Sequence, residues 1–598
     1  MLNSPHFELP VTADAPTLVE MLQLRSHHSA DRTAFIFLAD GDTAEVPITY
    51  GELDRRARAI GARLQQQLSP GDRAVLLYQP GLDYLAGFFG CLYAGVIAVP
   101  AYPPNPVRPK PTLPRIVTIV SDSQAAAVLT SDSLLAKSGS LFELAPELAR
   151  PAWLSTEALP DGIERQWQPP VIGPDSVAFL QYTSGSTGHP RGVTVSHGNL
   201  LSNSQIIRQG FEMNEQEQGV IWLPPYHDMG LIGGLIQPIY SGFETILISP
   251  AAFLQRPFRW LAAISRYRGT VSGGPNFAYD LAIRRVTAEQ KATLDLSCWK
   301  VAFNGAEPVR ARTLDEFSKA FAECGFQPES HYPCYGLAEG TLIVTGGARA
   351  AAPEYCAIDT AALEDHRVVE ISPEAPTART LVSSGRPLGE TAVVIADPEK
   401  LFRCQGDQIG EIWVAGPSVA QGYWGRPEET QQTFQAFLAD TGAGPFMRTG
   451  DLGFMKDGEL YVTGRLKDLI ILDGRNHYPQ DIEASVADSH PDIRNGAVAA
   501  FSIEVDGLER LVIVAEVERT SRLHRQKTGV GADSGSADEA AREIRNAITR
   551  RVAENHDVRV HEISLLRPGR IPLTSSGKIR RQACRTGFLA GTLENLEE

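Results

Sequence analysis

The stretch that most clearly suggests chemistry runs from Thr183 to Gly192, with the sequence TSGSTGHPRG. It follows an apolar run, VAFL at 177–180, which is typical of a strand that ends in a turn. Small residues let several backbone N–H groups point into one concavity, and hydroxyls and the Arg191 guanidinium can bind phosphate oxygens. The pattern is not that of a Walker loop. The alternative is a plain surface loop, the commoner role of a Gly/Ser/Thr cluster.

The bulk composition is that of an ordinary globular protein with several domains: 598 residues and a net charge of −16 at pH 7. An acidic chain without a Lys/Arg tract argues against nucleic acid as a partner. The N-terminus lacks a basic region followed by an apolar core, so no signal peptide is expected. The seven cysteines are scattered without a C-x-x-C pair. They predict reduced thiols in a cytoplasmic protein, with neither disulfides nor a zinc site.

One apolar run, residues 84–102, approaches the length of a membrane span. It carries several glycines and ends at Pro100 and Pro103. This favours a buried helix from about Leu82 that leads into a buried strand at 95–99. We therefore predict no membrane span.

Strand and helix patterns alternate up to about residue 310. A strand is predicted at 32–38, and Thr49 with Glu52 predicts a capping box at the start of a helix. Regular alternation of this kind is typical of an α/β fold in which a parallel sheet is connected by crossover helices.

The rest of the chain has a different pattern. Short, glycine-punctuated strands from 380 to 462 predict a β-subdomain, and a domain boundary is expected near 461–468. A compact α/β tail follows, with a strand at 511–517 and a helix at 539–555. The polar, Gly/Ser-rich segment 520–538 predicts a mobile loop.

Four further motifs follow the first loop in order along the chain. They are YGLAE at 335–339, RTGD at 448–451, TGR at 463–465 and PLTSSGK at 572–578. In this order the motifs resemble the adenylate-forming superfamily of acyl-CoA synthetases, luciferases and peptide-synthetase adenylation domains, from about Thr49 to Lys578. The resemblance implies an N-terminal domain, residues 1–466, of mixed sheets with crossover helices plus a β-subdomain. It also implies a small, mobile α+β domain, residues 467–598, that carries a catalytic lysine.

Other stretches narrow the resemblance to one branch of this superfamily. They are FLQY at 179–182, WLPPYHDMGLIG at 222–233, GGPNFAY at 273–279 and GRNHYPQDIE at 474–483. These look like the fatty-acyl-AMP ligase branch, whose members activate fatty acids and load them on acyl carrier proteins. The branch carries an insertion that ordinary acyl-CoA ligases lack, and residues 350–380 are long enough to be that insertion.

The resemblance implies ATP and Mg²⁺ as cofactors, because a carboxylate attacks the α-phosphorus of ATP and pyrophosphate leaves. Lys578 is expected to reach the α-phosphate and the attacking carboxylate, and Glu339 to hold Mg²⁺. Asp451 is expected to accept hydrogen bonds from the ribose hydroxyls, and Arg465 to clamp the ribose or phosphate. The residues expected at the phosphates are Thr183, Ser184, Gly185, Ser186, Thr187, Gly188 and Arg191. Tyr335 is expected to stack on adenine. The other residues expected around the base are Gly305, Ala306, Glu307 and Gly336.

Further roles come from the same resemblance. His227 matches a histidine near the reacting carbonyl, and Lys467 matches the hinge about which the small domain swings. Four residues are expected to bind the acyl chain: Trp222, Met229, Phe277 and Tyr279. Arg191 stands where many relatives have Lys. Each residue has a simpler alternative: a buried imidazole for His227, a turn residue for Asp451, a solvated side chain for Lys578 and plain core for the apolar four.

The implied function is activation of a fatty acid to acyl-AMP, followed by transfer to the phosphopantetheine thiol of a separate acyl carrier protein. Two alternatives stay open. In the first, the protein is an ordinary acyl-CoA synthetase that uses CoA as acceptor. In the second, it is a non-catalytic sensor of acyl-adenylates or nucleotides, although the presence of Lys578, Glu339, Asp451 and Arg465 together argues against that.

Overall fold

Two large sheets and the helices packed on them form the N-terminal part of the protein. The computed structural model describes residues 10–104, 110, 112–183, 190–472, 475–505, 508–528, 537–574 and 578–596. The strands are β1 Thr33–Leu38, β2 Glu45–Thr49, β3 Arg73–Leu77, β4 Ile97–Pro100, β5 Ala127–Thr130, β6 Ala152–Ser155, β7 Val177–Thr183, β8 Arg191–Ser196, β9 Gln218–Ile221, β10 Glu244–Ile248, β11 Val271–Gly274, β12 Val301–Asn304, β13 His331–Gly336, β14 Ile343–Gly346, β15 Tyr355–Asp359, β16 Ala378–Val382, β17 Arg386–Pro387, β18 Ala392–Ala396, β19 Gly410–Ala415, β20 Met447–Lys456, β21 Glu459–Arg465, β22 Ile470–Leu472, β23 Arg475–His477, β24 Ile493–Val505, β25 Leu508–Val517 and β26 Val560–Leu566.

The helices lie between these strands. The α-helices are α1 Leu18–Ser29, α2 Tyr50–Gln65, α3 Leu82–Ala94, α4 Leu113–Asp122, α5 Asp132–Leu135, α6 Ser138–Leu144, α7 His197–Gly210, α8 Gln237–Ser241, α9 Pro250–Gln255, α10 Phe258–Tyr267, α11 Asn276–Arg285, α12 Ala288–Lys291, α13 Ala311–Phe321, α14 Thr360–Glu364, α15 Pro427–Phe434, α16 Pro479–Ala487, α17 Arg522–Thr528, α18 Ala537–His556 and α19 Arg581–Leu589. A π-helix spans Met229–Ile236, and short 3₁₀ turns include Ala338–Gly340 and Leu466–Asp468.

The predicted α/β architecture is confirmed. One sheet has nine strands in the order β17-β14-β13-β12-β11-β9-β10-β1-β2, and another has six in the order β6-β5-β3-β4-β7-β8. In the first sheet the strands from β13 to β1 run parallel, and antiparallel pairing is confined to its ends. The second is parallel from β6 to β7, and β8 adds antiparallel to β7. Parallel strands are joined by helices, which bury both faces of each sheet.

The apolar run at 84–102 belongs to the core. It forms most of helix α3 and strand β4, and its side chains up to Ala101 are almost all buried. None of the helices in the described ranges is long and apolar enough to cross a membrane. Glycines let α3 pack closely on its neighbours: a Cβ at Gly90 would lie 2.3 Å from Ile60 Cγ2 of α2.

The C-terminal half has four smaller sheets in the described ranges. The expected β-subdomain is an antiparallel sheet in the order β18-β19-β20-β21. The tail has a sheet in the order β24-β25-β26, with α16 and α18 packed on one apolar face and α19 on the other. Residues 350–380 contribute most of the β15–β16 hairpin and helix α14.

Two local predictions were wrong in detail. The segment 520–538 was expected to be a mobile loop, but its beginning forms α17, because Ser521 Oγ accepts the His524 N–H at 3.0 Å and Leu523 is fully buried. The capping box before α2 is only half formed. Thr49 Oγ1 accepts the Glu52 N–H, whereas the Glu52 carboxylate instead accepts from Arg55 and Arg56.

Gly90→Ala should destabilise the protein by about 1–2 kcal/mol. The gain in helix propensity, about 1 kcal/mol, is outweighed by overpacking against Ile60. Gly139→Ala is the matched control, because a Cβ there meets nothing within 4 Å. It should be neutral or slightly stabilising. Denaturant unfolding of both variants measures the difference, and equal free energies of unfolding would contradict the packing argument.

Candidate functional site

A cavity of about 1840 Å³ opens where the N-terminal sheets, the β-subdomain and the C-terminal tail meet. It lies beyond the carboxyl ends of parallel strands, the usual place for a ligand in α/β folds. The predicted site residues on its wall are Thr183, Arg191, His227, Met229, Phe277, Ala306, Glu307, Tyr335, Gly336, Glu339, Asp451, Arg465, Lys467 and Lys578. Ser184, Gly185, Ser186, Thr187 and Gly188 lie outside the described residues. The cavity therefore unites residues that are up to 395 positions apart, from Thr183 to Lys578.

Asp451 on β20 is held by two partners at the cavity wall. The Tyr335 hydroxyl donates to its Oδ2 at 2.8 Å, and Arg465 Nε donates to its Oδ1 at 2.8 Å. Burial raises the pKa of Tyr335 well above its ordinary value, so the phenol stays protonated and donates. The Asp451 charge raises the pKa of Arg465. Each carboxylate oxygen retains further acceptor capacity towards a ligand.

Glu339, in a 3₁₀ turn after β13, is positioned by a residue that the sequence motifs did not indicate. The Tyr423 hydroxyl donates to Glu339 Oε1 at 2.9 Å. The Arg191 guanidinium lies 5.3 Å from the centre of the Tyr423 ring, and its Nε is 3.0 Å from Glu429 Oε2. Burial raises the pKa of Glu339. Arg191 is thus fixed between an aromatic face and a carboxylate, beside the first turn of α15.

Lys578 enters the cavity from a tight turn of the C-terminal tail. The Lys578 N–H donates to Thr574 Oγ1 at 2.9 Å, and the Thr574 N–H donates to the Lys578 carbonyl at 2.7 Å. Burial lowers the pKa of Lys578, and the charges of Asp228 and Glu307 oppose that shift. The ammonium group therefore sits among carboxylates of the N-terminal part, far from them in sequence.

His227 and Asp228 form a pair at the start of the π-helix. His227 Nδ1 is 2.5 Å from Asp228 Oδ1, and the same oxygen accepts the Met229 N–H at 2.6 Å. Burial acts to raise the pKa of Asp228, but the charges of His227 and Lys578 outweigh it and lower the pKa. Sequence reasoning missed Asp228, although it stands next to His227 in the PYHDMG motif. Its carboxylate fixes the imidazole orientation through Nδ1.

The loop after β12 lies against the same wall. Glu307 Oε1 accepts the Phe277 N–H at 2.6 Å, and burial raises the pKa of Glu307. Ala306 has a φ of +68°, a left-handed conformation that few non-glycine residues adopt. Gly305 lies behind the wall, where a Cβ would be 2.8 Å from the Cys334 carbonyl oxygen. The loop thus presents backbone to the cavity under local strain.

One arm of the cavity is apolar. Met229 and Phe277 line it, as expected, together with residues that sequence reasoning missed: Ile207, Phe211, Met213, Val271, Phe303, Leu342 and Ile343. Trp222 and Tyr279 do not line the cavity. The Trp222 ring stacks on Phe253 at 3.8 Å, and the Tyr279 hydroxyl donates to the Phe303 carbonyl at 2.9 Å within the core. Their acyl-binding role stays a prediction, and this placement does not support it.

The segment 350–380, which we predicted to be an insertion, contacts the C-terminal tail. Arg379 Nη1 lies 2.8 Å from Asp481 Oδ2, and its guanidinium lies 5.2 Å from the centre of the Tyr478 ring. Lys467, on an exposed 3₁₀ turn, lines both the main cavity and a neighbouring one of about 990 Å³. The segment 350–380 and this turn thus both adjoin the C-terminal tail.

Comparisons with known proteins agree with this architecture. The family model "AMP-binding enzyme" matches residues 22–424, and "Disco-interacting protein 2-like, AMP domain" matches residues 467–598. A medium-chain-fatty-acid–[acyl-carrier-protein] ligase, JamA of Moorena producens, is 48% identical over 97% of this chain and 96% of its own. The long-chain-fatty-acid–AMP ligase FadD32 of Mycolicibacterium smegmatis is 38% identical over 97% of this chain and 95% of its own.

Solved structures of fatty-acid–AMP ligases are similar to this chain over nearly its whole length. The fatty acid AMP ligase from Legionella pneumophila superposes with a TM-score of 0.74 at 43% identity, covering 98% of this chain and 97% of that one. A fatty acyl-adenylate ligase from a study of the Escherichia coli and L. pneumophila enzymes gives 0.85 at 33% identity, covering 97% and 99%. The fold and site are those of an adenylate-forming enzyme. The chain belongs to the AMP-binding enzyme family and, within it, to the fatty-acid–AMP ligases.

Tyr335→Phe should weaken AMP binding by about tenfold or more. The change keeps the ring but removes a hydrogen bond to a charged carboxylate, which is worth about 1.5–3 kcal/mol. Without it, Asp451 keeps only its Arg465 partner and is held less firmly in its orientation towards a ligand. Isothermal titration calorimetry with AMP measures the effect. Tyr355→Phe, on the exposed side of the insertion, is the control, and equal affinities of the two variants would refute the role of the Tyr335 hydroxyl.

Proposed function

We propose that the protein uses ATP to activate a fatty acid as acyl-AMP, with release of pyrophosphate. It then transfers the acyl group to the phosphopantetheine thiol of a separate acyl carrier protein, in polyketide, lipopeptide or complex lipid synthesis. One observation carries the proposal: a single cavity combines the Tyr335–Asp451–Arg465 cluster, the Lys578 ammonium and a long apolar arm. A nucleotide and an aliphatic carboxylate need those features side by side.

The chemistry requires positive charge where two anions meet. The fatty carboxylate attacks the α-phosphorus, and the bond to the pyrophosphate oxygen breaks. Lys578 is proposed to contact both the attacking carboxylate and the α-phosphate, where its compact charge offsets their repulsion. Asp228 and Glu307 line the same cavity, and their negative charges favour the protonated form of Lys578. His227, oriented by Asp228, is proposed to lie near the acyl carbonyl.

The nucleotide is proposed to lie along the polar wall. Asp451 accepts hydrogen bonds from the ribose hydroxyls, and Arg465 contacts the ribose or phosphate. Tyr335 stacks on adenine, beside the backbone of 305–307. The loop from Thr183 to Gly188 is proposed to hold the β- and γ-phosphates. Arg191, where many relatives have Lys, is proposed to support that loop from its position between Glu429 and Tyr423.

Mg²⁺ is proposed at Glu339, where it would neutralise charge on the phosphate oxygens. The carboxylate lines the cavity, and one of its oxygens is fixed by the Tyr423 hydroxyl. No group of three or more metal-binding side chains occurs in the described ranges. A single carboxylate with phosphate and water oxygens is the donor set that Mg²⁺ accepts in nucleotide sites.

We propose a domain boundary near residue 466, with Lys467 as the hinge. Separate apolar cores on the two sides, and the two family models that match on either side of residue 467, support this division. We also propose a cytoplasmic enzyme, since all seven cysteines are free and none forms a disulfide.

The acceptor is the least constrained part of the proposal. JamA and TtuA are named acyl-carrier-protein ligases, whereas relatives named FadD21 are described as putative fatty-acid–CoA ligases. The Arg379–Asp481 ion pair supports a carrier protein over CoA, because it ties the insertion to the small domain and opposes rotation into an open, CoA-accepting arrangement. Because of the relatives named FadD21, a fatty-acyl-CoA ligase is kept as the second candidate.

Lys578→Ala should lower the rate of acyl-AMP formation by roughly two to four orders of magnitude, since it removes the charge that stabilises the transition state. The measurement is fatty-acid-dependent ATP–pyrophosphate exchange. Binding of AMP should be largely retained, which separates loss of chemistry from loss of folding. Lys300→Ala, an exposed lysine outside the cavity, is the control. A Lys578→Ala variant with a near wild-type rate would refute this assignment.

Acyl transfer should be rapid with a phosphopantetheinylated carrier protein and slow or undetectable with CoA. The assay incubates enzyme, ATP, Mg²⁺ and fatty acids of graded length with each acceptor, and detects acyl-thioesters by mass spectrometry. Rapid acyl-CoA formation would favour the second candidate. An enzyme that is inert in the exchange assay with every fatty acid would instead indicate a nucleotide sensor.

A further inference from the structure

Two arginines that line the cavity, Arg115 and Arg580, have no carboxylate partner among the described residues. Arg115 lies in the first turn of α4, in the N-terminal part, and Arg580 lies two residues after Lys578 in the C-terminal tail. Both line the cavity. The pair therefore brings positive charge to the site from both sides of the proposed domain boundary.

Arg115 is poorly satisfied where it stands. Its Nη2 donates to the Tyr182 carbonyl at 3.5 Å, and its buried Nε has no hydrogen-bond partner. Burial lowers the pKa of Arg115, and the positive charge of Arg580 lowers it further. Two guanidinium groups that line one cavity without a bound anion repel each other. An anion bound by both groups would offset this repulsion.

The sequence around the pair offers no internal counter-ion. Residues 105–111 and 184–189 contain no Asp or Glu, and instead add Arg108, Lys110 and His189. Tyr182, which Arg115 contacts, directly precedes Thr183 and the glycine-rich loop. The unpaired positive charge thus lies at the end of the cavity where that loop begins.

Other arginines of this region are paired with carboxylates. The pairs are Arg191 with Glu429, Arg426 with Asp122, Arg465 with Asp451, and Arg581 with Glu483. Arg580 precedes Arg581 directly, so the tail carries one arginine that is bound internally and one that is available to a ligand. The two neighbouring side chains, Arg580 and Arg581, therefore differ in role.

We propose that Arg115 and Arg580 clamp the β- and γ-phosphates of ATP and then the released pyrophosphate, one from each domain. The proposal rests on the adenylation proposed above. A guanidinium fork binds phosphate oxygens through two parallel hydrogen bonds, and two forks on opposite sides match the several oxygens of a pyrophosphate group. The clamp adds to the glycine-rich loop two residues that no motif of the sequence indicated.

The clamp also couples the ligand to domain position. Arg580 and Lys578 belong to the same short turn, since the Arg580 N–H donates to the Pro572 carbonyl across it. A polyphosphate between the two arginines therefore favours the position in which Lys578 reaches the cavity. When the small domain moves away after acyl-AMP has formed, Arg580 leaves with it and pyrophosphate loses half of its clamp.

The test is calorimetric titration of Arg115→Gln, Arg580→Gln and the double variant with inorganic pyrophosphate in the presence of Mg²⁺, and separately with AMP. Each single variant should raise the Kd for pyrophosphate about tenfold or more and leave the Kd for AMP within about twofold. Since both side chains bind one ligand, the double variant should lose less than the product of the single losses. Arg115→Lys should recover part of the affinity. Arg550→Gln, on the exposed face of α18, is the matched control.

Pyrophosphate affinity within about twofold of wild type in both single variants would overturn the clamp. An equal loss of AMP and pyrophosphate affinity would also overturn it, because it would show that the arginines only shape the cavity. The experiment distinguishes failure of the clamp from failure of the proposed function. If wild-type protein forms no acyl-AMP yet loses pyrophosphate affinity in both variants, the function is wrong and the clamp stands.

Discussion

The site depends on one electrostatic interaction between the two parts of the chain. Lys578 brings an ammonium group from the C-terminal tail into the cavity that the carboxylates of Asp228 and Glu307 also line. Its burial is costly unless those charges compensate. The large sheets supply the carboxylates at the carboxyl ends of their strands, and the small unit supplies the lysine on a tight turn. The position of the C-terminal tail therefore decides whether Lys578 lies in the cavity.

Two tyrosine hydroxyls organise the polar wall around this interaction. Tyr335 donates to Asp451, and Tyr423 donates to Glu339. Each phenol is buried, which keeps it protonated, and each fixes one oxygen of a carboxylate while the rest of that group faces the cavity. The acidic side chains are thus oriented before any ligand binds, and pre-organisation of this kind reduces the cost of reaction.

Charge pairing also differs among the arginines of the cavity. Most of them are neutralised by carboxylates, while Arg115 and Arg580 line the cavity without carboxylate partners in the described ranges. The Arg379–Asp481 pair links the segment 350–380 to the tail. Under the clamp proposed above, a bound polyphosphate would favour the position in which Lys578 reaches the cavity, and the Arg379–Asp481 pair would oppose movement of the tail away from it.

The sequence alone determined the α/β class, the course of the apolar run at 84–102 and the family, because hydrophobic periodicity and ordered motifs are local. It also indicated the polar residues that meet in the cavity, such as Asp451 and Lys578. It did not reveal Tyr423, the apolar arm around Phe211 or the pairing of Arg115 with Arg580. It predicted acyl binding by Trp222 and Tyr279, whose side chains pack in the core, and that role stays a prediction. Only the tertiary structure decided these points, because burial and charge partnership depend on which distant strands and helices become neighbours.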